Sequence, residues 1–436
     1  MVGKNTTQLG ARSEAYEMFQ QEGRSLNVSY ENDRLNEIRQ NESSGISIRA
    51  VKSGKIGFSY SSKMDEFDFV ADSAIRLAPY GKPYDYKFAD KAAARGEAPV
   101  NPACGELSVE QIVETGNRLR DMIKQAHPEA LAECSIGGGI GRTRIVTSGG
   151  QESIEDSSSF GYYVGVKIAE EGNFLFAYRG RSSSQPIAES EMMQNAREAC
   201  DEFAAARKTL PFKSGSYPVL LTPSALSDIL MPIEVSVNGI NIAKKTSSFV
   251  DAMGKQLFDK RLTITDDPFH AEGPSGTTFD GEGVPASKRA IIDAGVLKGF
   301  VHTLSTAQKS GHTPTGNAQR SVSSLPMPGW HNMIMDAGTD DLAEMYRRAE
   351  GGLCIRQMLG TFTSNFLAGQ VSGNISLGFA VHEGRNAGRV KNCALNVNAF
   401  ELLKDRILAI SSKREWAGGA YLPYVLVDAV SISARD

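Results

Sequence analysis

Along the first 210 residues, apolar positions switch repeatedly between a helical and a strand period. Ser13–Glu22 sets Tyr16, Met18 and Phe19 near one face, which predicts a helix, and Leu26–Tyr30 then alternates as a half-buried strand does. Gly45–Val51 and Gly54–Tyr60 read as a hairpin turning at Lys52-Ser53-Gly54. Asp65–Leu77 predicts a helix with Phe67, Phe69, Val70, Ala74 and Ile75 on its apolar face. Ser108–Ala126 gives the clearest helical pattern: Ser108 and Gln111 form a capping box, and Ile112, Leu119, Met122 and Ile123 form the stripe to be buried. Strands are predicted at Thr143–Thr147, Phe160–Ala169 and Asn173–Arg179, and a further helix at Met192–Lys208.

The second half changes character. Leu210–Pro218 is rich in Pro, Gly and Ser and marks a boundary. A strand Val219–Thr222 follows, then a helix from about Ser224. From Leu262 onward short apolar runs separated by Gly, Asp and Pro predict strands and turns, interrupted by helices at Asp340–Ala349 and Ala399–Ser411. The last apolar stretch, Tyr421–Ser433, predicts a strand pair at most. The pattern as a whole predicts an α+β protein. A mixed N-terminal domain spans 1–210, with a linker-like stretch at 80–102, and a mainly β domain with a few packed helices spans 217–436.

Composition narrows the function classes. The chain has 436 residues, 41% apolar and 22% charged, which fits a globular protein of two domains. A net charge of −4 supplies no basic surplus for a phosphate backbone. No apolar run has the length of a membrane span, and Met1–Gln8 lacks the apolar core of a secretory signal. Five well-separated cysteines form no C-x-x-C pair, so the expectation is a reducing, cytoplasmic setting with no structural zinc site.

Familiar catalytic motifs are absent. The six histidines, at 127, 270, 302, 312, 331 and 382, include no pair at metal-protease spacing, and His382-Glu383 runs into a Gly-containing turn. Gly137–Gly141 lacks the last glycine of a dinucleotide loop and reads as a turn between strands. Gly273-Pro-Ser-Gly-Thr277 misses the final glycine of a nucleophile elbow. The acids Asp266, Asp267, Asp280 and Glu282 are the remaining candidates. Together they can bind a hard cation or act as acid and base, while singly they suit turns, as in Asp-Asp-Pro and Asp-Gly-Glu-Gly. His312, Asn317 and Arg320 sit in neighbouring loops and complete a set of peptide-groove candidates.

Several segments resemble the TldD/PmbA family. They are Glu42–Arg49 with Gly54–Gly57, Leu262–Pro268, Phe279–Gly283, Ala307–Arg320, Gly351–Leu353, Phe366–Gly384 and Leu422-Pro423, in that order. That family combines a zinc protease subunit, TldD, with a related subunit, PmbA or TldE, that lacks the H-E-x-x-x-H motif. By this resemblance the motif falls within Ser224–Gly239. Met231 and Ser236 stand at the histidine positions and Pro232 at the glutamate position, where a proline also disfavours a continuous helix. The resemblance implies a PmbA/TldE-type subunit with no catalytic residue and no cofactor of its own, and zinc in a TldD-type partner. It also implies a cytoplasmic role in handling unfolded peptides, for maturation or degradation. The family's older label, modulator of DNA gyrase, implies no direct DNA contact here. Two alternatives stay open: a stand-alone hydrolase using the acidic turns, and a homodimeric peptide-binding protein without proteolytic role.

Overall fold

The computed structural model describes residues 2–170 and 173–435. Two large sheets organise the chain. The first contains seven antiparallel strands in the order β4-β3-β2-β1-β5-β6-β7: β1 (Ala15–Glu31), β2 (Arg34–Lys52), β3 (Lys55–Ser61), β4 (Lys82–Pro83), β5 (Leu131–Thr147), β6 (Glu152–Glu170) and β7 (Asn173–Ser183). After helix α1 (Val2–Arg12), helix α2 (Phe67–Leu77) packs Phe67, Val70, Ala71 and Ala74 against Ile46 and Ile48 of β2, whereas Phe69, expected on that face, is 60% exposed on the other side of the helix. Helices α3 (Val109–Ala126) and α4 (Glu189–Arg207) cover β1, β5 and β6, burying Leu119, Ile123 and Phe203 against Val28, Ile136 and Val164. The start of α3 is set locally, because the Ser108 side chain accepts the Gln111 N–H.

The second sheet has twelve strands. Its long strand Ala420–Ala434 pairs with Gly215–Leu221, Cys393–Asn398 and Ile407–Ala417, all antiparallel, and lies parallel to Met333–Met335. Helix α5 (Pro223–Val237) lies across this sheet, burying Leu226, Ile229, Leu230, Ile233 and Val237 in its core. The sheets are not wholly separate: Leu377 and Phe379 of the second join the core beneath the first.

Four element assignments are corrected. Ser13–Glu22 lies in strand β1, apart from its first two residues, because Glu17, Met18 and Phe19 are buried between β2 and β5; this pairing on both sides overrides a short helical pattern. Gly137–Gly141 is no turn but the middle of β5. A Cβ at Gly137 would stand 2.6 Å from the Leu26 carbonyl oxygen, and one at Gly139 2.4 Å from that of Arg24, so the glycines admit the β1 backbone. The helix expected over Ala399–Ser411 stops at Asp405, and Ile407–Ala417 is a strand bonded to the C-terminal one. Tyr421–Ser433 belongs to one strand rather than a pair.

Candidate functional site

The acids and polar residues picked out in the sequence lie near the junction of the two sheets, and most point inward. Asp280 accepts the N–H groups of Glu282 (2.8 Å), Val284 (3.0 Å) and Ala318 (2.9 Å), which closes the Asp-Gly-Glu-Gly turn. Burial, aided by the charge of Glu282, pushes its carboxyl up to about 7. Glu282 reaches out of that turn to Arg49 on β2 (2.9 Å) and accepts the Leu304 N–H (2.8 Å). Arg49 also pairs with Glu17 on β1, and Glu17 pairs with Arg320, whose guanidinium bonds Ser47 Oγ (2.8 Å) and sits over the Phe19 ring. Two acids and two arginines thus form a buried chain tying the first sheet to the Asp280 turn and the Ala318–Arg320 segment of the second half. Burial alone would raise the Glu17 carboxyl, but Arg49 and Arg320 hold it below the usual range.

Asp266 is committed equally firmly. Its carboxylate accepts the His331 N–H (2.8 Å), His331 Nδ1 (2.9 Å) and Asn317 Nδ2 (2.6 Å). Asp267 caps the Phe269 N–H (2.9 Å) and pairs with Lys288 (3.0 Å). His312 is exposed, its Nδ1 3.0 Å from His302 Nε2 and its ring stacked on Phe300. The seven candidates therefore fall into a buried scaffold (Asp266, Asp267, Asp280, Glu282, Asn317, Arg320) and one outlying histidine. Arg49 and Glu17, which complete the scaffold, were hidden in an ordinary strand pattern.

Helix α5 presents the open surface. Its partly exposed residues, Ser224, Ser227, Asp228, Met231, Glu234, Val235 and Asn238, recur every three to four positions and so form one face. A cavity of about 540 Å³ lies against that face, walled by Met231, Glu234, Val235, Trp330, His331 and Met333. A second, of about 580 Å³, adjoins it, sharing Ser227 and Ala417 and lined by Arg181, Arg356 and Arg414. The helix runs unbroken through Pro232, contrary to the expectation that proline would interrupt it; its apolar face is buried on both sides of the proline, which holds the turn that lacks one N–H. Ser236 is fully buried and outside the cavity, so of the two positions expected to correspond to histidines only Met231 faces the opening.

Residues 214–434 match the PmbA/TldA metallopeptidase C-terminal domain, and residues 16–78 match domain 1 of the same metallopeptidases. The chain belongs to the PmbA/TldD family. It is 24% identical to the metalloprotease TldD homolog of Buchnera aphidicola, over 86% of this chain and 80% of that one. It is 25% identical to the metalloprotease PmbA homolog of Haemophilus influenzae, over 50% and 46% respectively. Its fold is that of TldE from Thermococcus kodakarensis, with a TM-score of 0.92 at 18% identity, covering 99% of this chain and 100% of that one. Identity of this order to both kinds of homolog leaves the assignment to the side chains themselves. A catalytic zinc site takes three protein ligands of the His, Cys or carboxylate type. The α5 cavity offers Glu234 and His331, whose Nδ1 is held by Asp266, and among the described residues no three such side chains converge. This donor set does not fit a zinc centre.

Proposed function

We propose that this chain is a metal-free, PmbA/TldE-like subunit of a two-subunit cytoplasmic metalloprotease, holding an unfolded peptide beside a TldD-type partner that carries the zinc. The observation supporting this is the open face of α5, where Met231, Glu234 and Val235 line a cavity in a family described as metallopeptidases. The saturation of Asp266, Asp280 and Glu282 by named donors weighs against a stand-alone hydrolase built on the acidic turns. Among the described residues no helix is long and apolar enough to cross a membrane, and all five cysteines are free. The test is cleavage of an unstructured peptide by the purified chain, by a TldD-type subunit, and by the mixture, each with and without chelator. Cleavage that needs the mixture and disappears with chelator supports the reading; cleavage by this chain alone overturns it.

A second reading, self-association, has its own observation. Strand β2 pairs with β1 throughout, but β3 covers only Ile46–Lys52, which leaves the outer edge of Arg34–Gly45 open. About a two-fold axis at Ile38 that edge is self-complementary, because Glu37 and Arg39, which pair within one strand, each face the other's counterpart in the second copy. Ile38 itself is 44% exposed. A dimer made this way weakens in the charge reversal Arg39→Glu and recovers when Glu37→Arg is added, read by sedimentation. Monomers at all concentrations would dispose of it.

A further inference from the structure

The fully buried acids at the sheet junction are saturated, and Glu234 in the α5 cavity contrasts with them. Glu17, Asp266, Asp280 and Glu282 each accept two or more hydrogen bonds or ion pairs. In the adjoining cavity Arg181 is matched by Glu191, and Arg356 by Glu202. Among the described residues the half-buried Glu234 has no hydrogen-bond or ion-pair partner, and burial alone acts on its carboxyl, raising it to about 7. A desolvated carboxylate is costly to keep without a partner.

Its surroundings suit one class of partner. Among the described residues no Lys or Arg lines the Glu234 cavity, so none of their cations competes there. Trp330 supplies an aromatic wall and a buried indole N–H that also lacks a partner. Met231 and Met333 give a polarisable, adaptable lining. His331, the remaining titratable group facing the space, is turned by its Nδ1 bond to Asp266. A carboxylate that shares a cavity with an indole and thioethers, with no lysine or arginine on the lining, is chemistry that takes up an ammonium group.

We propose that the α5 cavity is a specificity site for a primary ammonium group of an extended peptide, seated on Glu234 against Trp330. This rests on the reading of the α5 face as a peptide-holding wall. A lysine side chain and a free peptide N-terminus share the required chemistry.

The experiment uses the full chain at pH 8 and three hexapeptides, with binding followed by calorimetry and by tryptophan fluorescence. One peptide carries an internal lysine and an acetylated N-terminus, the second a free N-terminus and no lysine, and the third is acetylated with norleucine replacing lysine. At least one cationic peptide is expected to bind tenfold or more tightly than the neutral one, and which one does so identifies the source of the ammonium. Glu234→Gln is expected to abolish that difference while keeping the unfolding transition cooperative, since the carboxylate makes no contact on which folding depends. Equal or absent binding of all three, or a preference that survives Glu234→Gln, overturns the proposal. A chain that shows the preference but never supports partner-dependent cleavage refutes the two-subunit reading alone; the converse result refutes this one alone.

Discussion

The junction between the sheets and the α5 cavity both place carboxylates out of bulk water, yet they solve the resulting problem differently. At the junction Glu17 and Glu282 share Arg49, and Arg320 completes the chain, so every charge has an opposite charge in contact. In the cavity Glu234 stands alone. Burying a matched pair gains little net stability, but removing one member leaves an uncompensated charge. Burying a single acid is a standing cost that a ligand can relieve. The contrast separates scaffold from site by pairing alone, where residue type and position in sequence did not.

The largest predicted effect breaks the scaffold. Arg49→Ala leaves Glu17 and Glu282 short of a cation and is expected to lower stability by about 3–5 kcal/mol, seen as a shift in urea midpoint. Next comes the opposite sign at the cavity. The Glu234 carboxyl is raised from 4.5 to about 7 in the folded chain. A raised acid keeps its proton better folded than unfolded, so its penalty is absent below about 4.5 and grows as pH rises towards 7. Glu234→Gln is therefore expected to stabilise the chain by roughly 1–3 kcal/mol at pH 8 and to do nothing at pH 4, read from paired denaturation curves. Destabilisation at pH 8 would mean that Glu234 has a partner after all. The smallest effect is a control outside both regions: Ser108→Ala removes the α3 cap and should cost about 1 kcal/mol at either pH.

What was legible in the sequence was what is decided locally. The cap and stripe of α3, the β2–β3 hairpin and, apart from the exposed Phe69, the face of α2 all depend on residues a few positions apart. The Asp280 turn was legible for the same reason. The errors lie where the deciding partner is remote. Strand β1 is fixed by pairing on two sides and by Glu17, which meets Arg49 at a separation of 32 residues and Arg320 at 303. The glycines of β5 carry no apolar period, and their reason for being there is the β1 backbone opposite them. Pro232 misled because a local rule was applied where buried neighbours decide. The candidate acids were found but their direction was not: Glu282 turns inward to an arginine 233 residues away. Glu234, an isolated acid in the sequence, gains meaning only from the cavity around it.

The account centres on the claim that the α5 cavity serves a peptide and not a metal. Equilibrium dialysis of the purified full chain against buffered zinc, with Glu234→Gln alongside, tests it most directly. The predicted result is no stoichiometric zinc retained by either protein at free zinc levels that fill a metalloprotease site. One equivalent held tightly by the native chain and lost in Glu234→Gln would contradict it and make Glu234 a metal ligand.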